Sequence, residues 1–156
     1  MTMPFPADRE LSLTRMIAAP RLALYRCWTE PALLSQWFCP PPWTVPHAEM
    51  DVRPGGSSLV IMRGPNGEEM PNRGVYLDVV PGERLVFTDA FVRAWEPSER
   101  PFMTVILTFE DDARQTRYTA KVRHWTVEAR EQHERMGFHA GWAIATDQLA
   151  ALAATL

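Results

Sequence analysis

Apolar and polar residues alternate through Glu10 to Ile17: Leu11 and Leu13 share one face, while Glu10, Ser12 and Thr14 share the other. A period of two predicts a half-buried strand. The period then lengthens. Pro20 opens PRLALYRCWT, where Leu24 and Trp28 are four apart, and proline suits a first helical turn. EPALLSQWF repeats the pattern, with Pro31 near its start and Leu33, Leu34, Trp37 and Phe38 at helical spacing. The spacing predicts two short helices joined near Thr29 and Glu30. Strand-like runs follow, separated by turn signals: HAEMDV, SLVIMR, RGVYLDVV, RLVFTDAF, FMTVILTFE and TRYTAKVRH. Asn66-Gly67 is the strongest hairpin signal among them. Turns this short imply antiparallel neighbours, because parallel strands need long crossovers. The tail returns to a helical period. Thr126 can cap it, and EAREQHER is polar and solvated. From Phe138 onward, Phe138, Trp142, Ala145, Leu149, Leu152 and Leu156 form one apolar stripe. Gly137 and Gly141 stand at the join, where a kink or close packing on the sheet is expected.

The order is strand, two short helices, six antiparallel strands, one long helix. The helix must bury its stripe and the sheet must cover one face, so an α+β domain with the sheet wrapped around the C-terminal helix follows. No repeat or linker interrupts the chain, which reads as a single domain over residues 1–156 with residues 1–7 flexible.

QWFCPPPWTVP, Gln36 to Pro46, breaks both periods. Pro40 to Pro42 fix φ and remove donors, so they make a stiff extended connector. Trp37, Phe38 and Trp43 can then cap one end of the space between sheet and helix. They would act as a lid on a pocket or as a plug completing the core.

Composition narrows the classes. The 156 residues, 46% hydrophobic and 22% charged with net charge −3, suit a folded domain and argue against a nucleic-acid partner. No apolar run is long enough for a membrane span, and the N-terminus lacks the pattern of a signal peptide, so a cytoplasmic protein is expected. Cys27 and Cys39 form no framework or metal spacing and are read as reduced thiols. His47, His124, His133 and His139 include no i,i+4 pair, and no metal or cofactor motif appears. There is no nucleophile elbow. RPGGSS precedes a strand and lacks the phosphate-loop lysine. No catalytic residue is assigned. Asp78 falls on the mixed face of its strand and reads as solvated. Asp89 shares parity with Leu85, Phe87 and Phe91, where desolvation would raise its pKa, so Asp89 or His124 would be the acid–base group of any enzyme reading.

Four stretches together resemble the START-like (SRPBCC) superfamily, and within it the family of the activator of heat-shock-protein-90 ATPase. They are PRLALYRCWTEPALLSQWF, CPPPWTV, RGVYLDVVPGERLVFT and GWAIATDQLAALAATL. The resemblance covers roughly Asp8 to Leu156. It implies the helix-grip fold, with a cavity between the sheet and the long helix suited to a small hydrophobic or aromatic ligand and no cofactor. Co-chaperone members imply a second reading, an interaction module tied to the stress response. This chain resembles only the C-terminal type of domain of the eukaryotic activator, which argues against chaperone activation. Cyclase- or dehydratase-like branches imply a third reading. A homodimer would use exposed helix or strand-edge surface.

Inward-facing bulk selects the candidate cavity residues. Trp37 and Trp43 come from the proline loop. Phe87, Phe91 and Trp95 lie on and beyond the RLVFTDAF strand, with Trp95 a candidate gate. Met103 and Val105 begin the next strand, and Met62 with Met103 would form an adaptable wall. Tyr118 and His124 offer polar contacts that orient a ligand, and Phe138 and Trp142 come from the last helix. Core packing is the competing role for each.

Overall fold

The computed structural model describes residues 4–156. Of the N-terminal segment expected to be flexible, residues 1–3 lie outside the described residues. Phe5 sits against the guanidinium groups of Arg9 and Arg123, at 4.7 and 4.5 Å from its ring centre.

Seven strands form one antiparallel sheet: β1 (Glu10–Ile17), β2 (Thr44–Met50), β3 (Ser57–Arg63), β4 (Glu69–Val80), β5 (Arg84–Thr88), β8 (Met103–Asp112) and β9 (Gln115–His124). Their spatial order is β1-β9-β8-β5-β4-β3-β2. A separate small hairpin, β6 (Phe91–Arg93) with β7 (Glu96–Pro97), interrupts the run between β5 and β8. Among the described residues, a 3-10 turn (Ala7–Arg9) and four α-helices complete the fold: α1 (Arg21–Thr29), α2 (Pro31–Leu34), α3 (Val127–Arg135) and α4 (Phe138–Ala153). This is a helix-grip arrangement, and the alternation in the sequence sets its faces. Val105, Leu107 and Phe109 of β8 and Tyr118, Ala120 and Val122 of β9 are all buried. Pro46 lies in β2, an edge strand, where a missing donor costs no ladder bond.

Three elements differ from the sequence expectation. α2 is a single turn, and Trp37 and Phe38 follow it as turns whose amides bond back to the Leu34 carbonyl. The helical spacing there is set by this turn rather than by a continuing helix. The RLVFTDAF run stops at Thr88, because the Thr88 hydroxyl accepts from the Ala90 amide and Asp89 accepts from the amides of Phe102 and Met103. These side chains replace the ladder, so Phe91 belongs to the small hairpin. The tail is two helices. Gly137 takes φ +98, a left-handed conformation that glycine adopts without a Cβ penalty, and this breaks the chain between α3 and α4. Gly141 lies inside α4, and a Cβ there would meet no neighbouring atom, so it marks no close packing.

The core is continuous. It joins α1 (Leu24, Cys27, Trp28) and α4 (Ala145, Leu149, Ala153) to the inner faces of β8 and β9. Leu149 is fully buried, while Leu156, the last residue assigned to the stripe, is exposed. The stripe therefore works as packing from Phe138 to Ala153.

Candidate functional site

The sheet's inner face is filled unevenly. Over β8 and β9, the inward Val105, Leu107, Phe109, Tyr118, Ala120 and Val122 are all buried in one core with α1 and α4. Trp28 donates from Nε1 to the Tyr118 hydroxyl at 3.2 Å, and Trp28 and Trp37 pack edge-on with ring centres 4.8 Å apart. Over β3 and the first half of β4 the inward positions are short: Ser58, Val60, Asn72 and Gly74. A cavity of about 340 Å³ opens there. That size falls at the small end of the usual range for small-molecule pockets.

Apolar side chains make most of its wall: Trp28 and Leu34 from the helices, Phe38 beyond α2, and Leu85, Phe87 and Met103 from the strands. Trp28 and Phe87 are tilted against each other at 5.7 Å, and Tyr76 meets Phe87 edge-on at 6.4 Å. Gly74 is required by a close approach, because a Cβ there would lie 2.5 Å from the Thr88 carbonyl oxygen. The chain beyond Thr88 crosses at that point, and the β6–β7 hairpin, which packs on β4, contributes Val92 and the adjoining Ser98 to the lining.

Polar groups collect on one side. Asn72 donates to the carbonyls of Val60 and Met70, both at 3.2 Å. The Asp89 carboxyl accepts from the amides of Phe102 at 2.8 Å and Met103 at 3.0 Å. Burial pushes its pKa up, opposed by these amide bonds, which favour the charged form. Burial also pushes the Tyr76 hydroxyl up to about 12, so it remains a neutral donor at physiological pH. Arg73 and Arg100 complete the lining. Both are exposed.

Of the residues selected from the sequence, Phe87 and Met103 line this cavity together. The others are placed elsewhere. Trp37 is 3% exposed and donates from Nε1 to the Cys27 carbonyl at 3.0 Å, so it plugs the core. Trp43 borders a different, shallow cleft with Pro41, Pro42 and Gln148. Gln148 of α4 donates to the carbonyls of Trp37 and Cys39, which ties the proline loop to that helix. Val105 and Tyr118 are buried in the filled half. Phe91 is half-buried in the small hairpin. Trp95, 92% exposed, sits in the turn of that hairpin with φ +65. Met62 is half-buried against the core and lies outside the cavity lining.

His124, Phe138 and Trp142 form part of a separate aromatic group under α3 and α4. His124 is 2% exposed. Its Nδ1 lies 2.9 Å from the Arg9 carbonyl, and its Nε2 lies 2.9 Å from Nδ1 of His133. A carbonyl only accepts, so Nδ1 of His124 carries a proton, and a hydrogen bond joins Nε2 of His124 to Nδ1 of His133. Phe102 and Phe138 flank His133 at 4.9 and 5.1 Å, and Phe138 leads on to Trp142 at 5.4 Å. Burial pushes His133 down to about 4, aided by the neighbouring His124.

Cys27, Cys39 and Asp78, also weighed in the sequence, lie outside the cavity lining. Cys27 and Cys39 are free thiols, and burial raises the pKa of both, to about 11 for Cys27. Asp78 pairs with Arg84 at 2.6 Å. Among the described residues no group of three or more His, Cys, Asp or Glu side chains is arranged to hold a metal ion. No helix of the described residues is long and apolar enough to cross a membrane.

The cavity-lining residues that the sequence did not single out are mainly the short ones. Ser58, Val60, Asn72 and Gly74 share the inward parity of β3 and β4, and that parity was the available signal. Inward bulk marks where space is filled, whereas inward small residues mark where it is left.

The fold and much of the sequence recur in solved structures. A protein of Nitrosomonas europaea is 38% identical, with a TM-score of 0.91, over 95% of this chain and 96% of its own. A protein of Mycobacterium smegmatis is 27% identical, with a TM-score of 0.79, over 93% and 90% of the two chains. A protein of Rhodobacter sphaeroides, 23% identical over 99% and 97% with a TM-score of 0.83, shares the fold. No curated protein matches the chain. The family model described as Activator of Hsp90 ATPase homolog 1-like protein matches residues 18–154, nearly the whole of the α+β domain described above, and the chain belongs to that family.

Proposed function

We propose that this protein binds a small, mainly apolar molecule in the cavity over β3, β4 and β5. One observation carries the reading. The sheet's inner face is densely filled over β8 and β9, yet leaves about 340 Å³ walled by Trp28, Phe38, Phe87 and Met103 a few ångströms away. Protein interiors are close-packed, and voids larger than a water molecule are few per domain. A space this large with aromatic walls and a few polar groups on one side is the usual form of a ligand site. The β6–β7 hairpin and Phe38 would cover the bound molecule.

An acid–base role for Asp89 has less support, because its Oδ1 already accepts from two backbone amides. The test of the binding reading is isothermal titration calorimetry with 4-phenylbutanamide, a neutral probe with an apolar body. Saturable one-to-one binding that is lost in Val60→Phe, which fills the cavity, and kept in Trp43→Ala, which lies outside it, supports the reading. Binding unaffected by Val60→Phe contradicts it.

A further inference from the structure

Asp89 is the one carboxyl among the cavity-lining residues. Its Oδ1 accepts from the amides of Phe102 and Met103, at 2.8 and 3.0 Å. No hydrogen bond or ion pair engages its Oδ2 among the described residues. That atom is not sealed off either, since Arg9 Nε is the one buried side-chain polar atom there without a partner. The two amides favour the charged form of the group, so Oδ2 is a strong acceptor still free at the cavity wall.

Gly74 brings this acceptor together with two hydroxyls. Val75 pairs with Thr88, which sets Asp89 beside Gly74 on the β5 side, and the Asp89 Cα lies 3.8 Å from where a Gly74 Cβ would stand. On the β3 side, Ser58 is the register partner of Gly74. Tyr76 follows two residues later on the same inward face, 4% exposed, with its ring centre 6.4 Å from that of Phe87. Ser58 hydrogen-bonds to the Tyr76 hydroxyl. Two hydroxyls hold two protons and a bond between them uses one, so the pair keeps one proton to donate. The residue between these groups has no side chain. A donor therefore stands on one flank of a bare stretch of β4, and an anionic acceptor on the other.

We infer that the polar end of the ligand is a neutral carboxamide seated over Gly74, its N–H donating to Oδ2 of Asp89 and its carbonyl oxygen accepting from the Tyr76–Ser58 hydroxyl pair, with the apolar body against Trp28, Phe87 and Met103. The inference rests on the binding reading above and specifies the chemistry of its ligand. A carboxylate here would set like charges together. An ammonium would leave the hydroxyl proton without an acceptor, and a ketone would leave Oδ2 without a donor. A carboxamide carries both functions on separate atoms, which suits a donor and an acceptor on opposite flanks.

The experiment compares two probes of nearly equal shape, 4-phenylbutanamide and 4-phenylbutyrate, by calorimetry on the full chain at pH 7. The amide is expected to bind at least about tenfold more tightly, the worth of a hydrogen bond to a charged group. In Asp89→Asn one side-chain oxygen can still accept from Phe102 and Met103, while the free position becomes an N–H donor, so the amide preference should fall about tenfold or more. Tyr76→Phe removes one hydroxyl and should weaken the amide about fivefold, and it carries the test should Asp89→Asn fail to fold. Val60→Phe should abolish binding of both probes, with Met103→Trp as a second block should Val60→Phe fail to fold. Equal affinity for the two probes, or tighter binding of the carboxylate, with both lost on blocking the cavity, would overturn the carboxamide head and leave the binding reading intact. An amide preference unchanged in Asp89→Asn, or an amide affinity unchanged in Tyr76→Phe, would overturn the assignment to these groups. Absence of binding by either probe at millimolar concentration, or binding that neither block disturbs, would overturn both readings.

Discussion

Acidification should weaken the fold through one histidine. Nδ1 of His133 lies within hydrogen-bond distance of Nε2 of His124, 2.9 Å away, and His124 is in turn anchored to the Arg9 carbonyl. Phe102 and Phe138 enclose His133, so charging it is costly. Burial first, and then the neighbouring His124, lower its pKa from 6.5 to about 4. For a base with a lowered pKa, the folded state binds fewer protons than the unfolded state between those two values. The stabilisation is complete above pH 6.5 and is lost as the pH falls towards 4. At 1.36 kcal/mol per pKa unit the full effect would be about 3 kcal/mol, and the partial exposure of the ring reduces it to about 2 kcal/mol. The assay is urea unfolding from pH 7.5 to 4 for the wild type and His133→Asn, whose side-chain amide can both donate and accept and so still hydrogen-bond to His124. Carboxylate contributions are common to both proteins and cancel in the difference. The wild type should lose about 2 kcal/mol more than the variant across this range. Parallel stability curves would refute the reasoning.

Gly74→Ala places a Cβ 2.5 Å from the Thr88 carbonyl oxygen and should cost about 1–3 kcal/mol in urea unfolding, whereas Gly141→Ala meets nothing and should be neutral or stabilising. Leu149→Ala removes a fully buried side chain from the α4 face and should cost about 2–5 kcal/mol. Asp89→Ala removes the acceptor of the Phe102 and Met103 amides and should cost about 1–3 kcal/mol, with weaker hydrogen-exchange protection at those two amides. Cys39 should react with iodoacetamide at pH 7 more slowly than an unstructured cysteine peptide, because burial raises its thiol pKa.

The sheet was legible because its strands alternate cleanly. The inward sets of β8 and β9 are the buried sets, and short turn signals such as Asn66-Gly67, with Gly67 at φ +83, force antiparallel neighbours. Element ends were less legible where side chains or left-handed residues decide them. Asp89 and Thr88 end β5 by bonding to backbone groups, and Gly137 divides a helical pattern whose apolar stripe continues unbroken in the sequence. The cavity was the least legible feature. Trp37 and Tyr118 look like ligand contacts by size, and each satisfies its polar atom inside the core instead. Empty space depends on which inward positions lack bulk across two neighbouring strands, and Ser58 opposite Gly74 shows this only once the register is known.

The claim that the space over β3 to β5 is a ligand site is tested most directly by amide chemical-shift mapping of the full chain titrated with 4-phenylbutanamide. Saturating shifts concentrated at Val60, Gly74, Tyr76, Phe87 and Met103, with the Trp43–Gln148 cleft and the β8–β9 core unmoved, are the predicted result. Shifts that cluster at Trp43 and Gln148, or that fail to saturate, would contradict it.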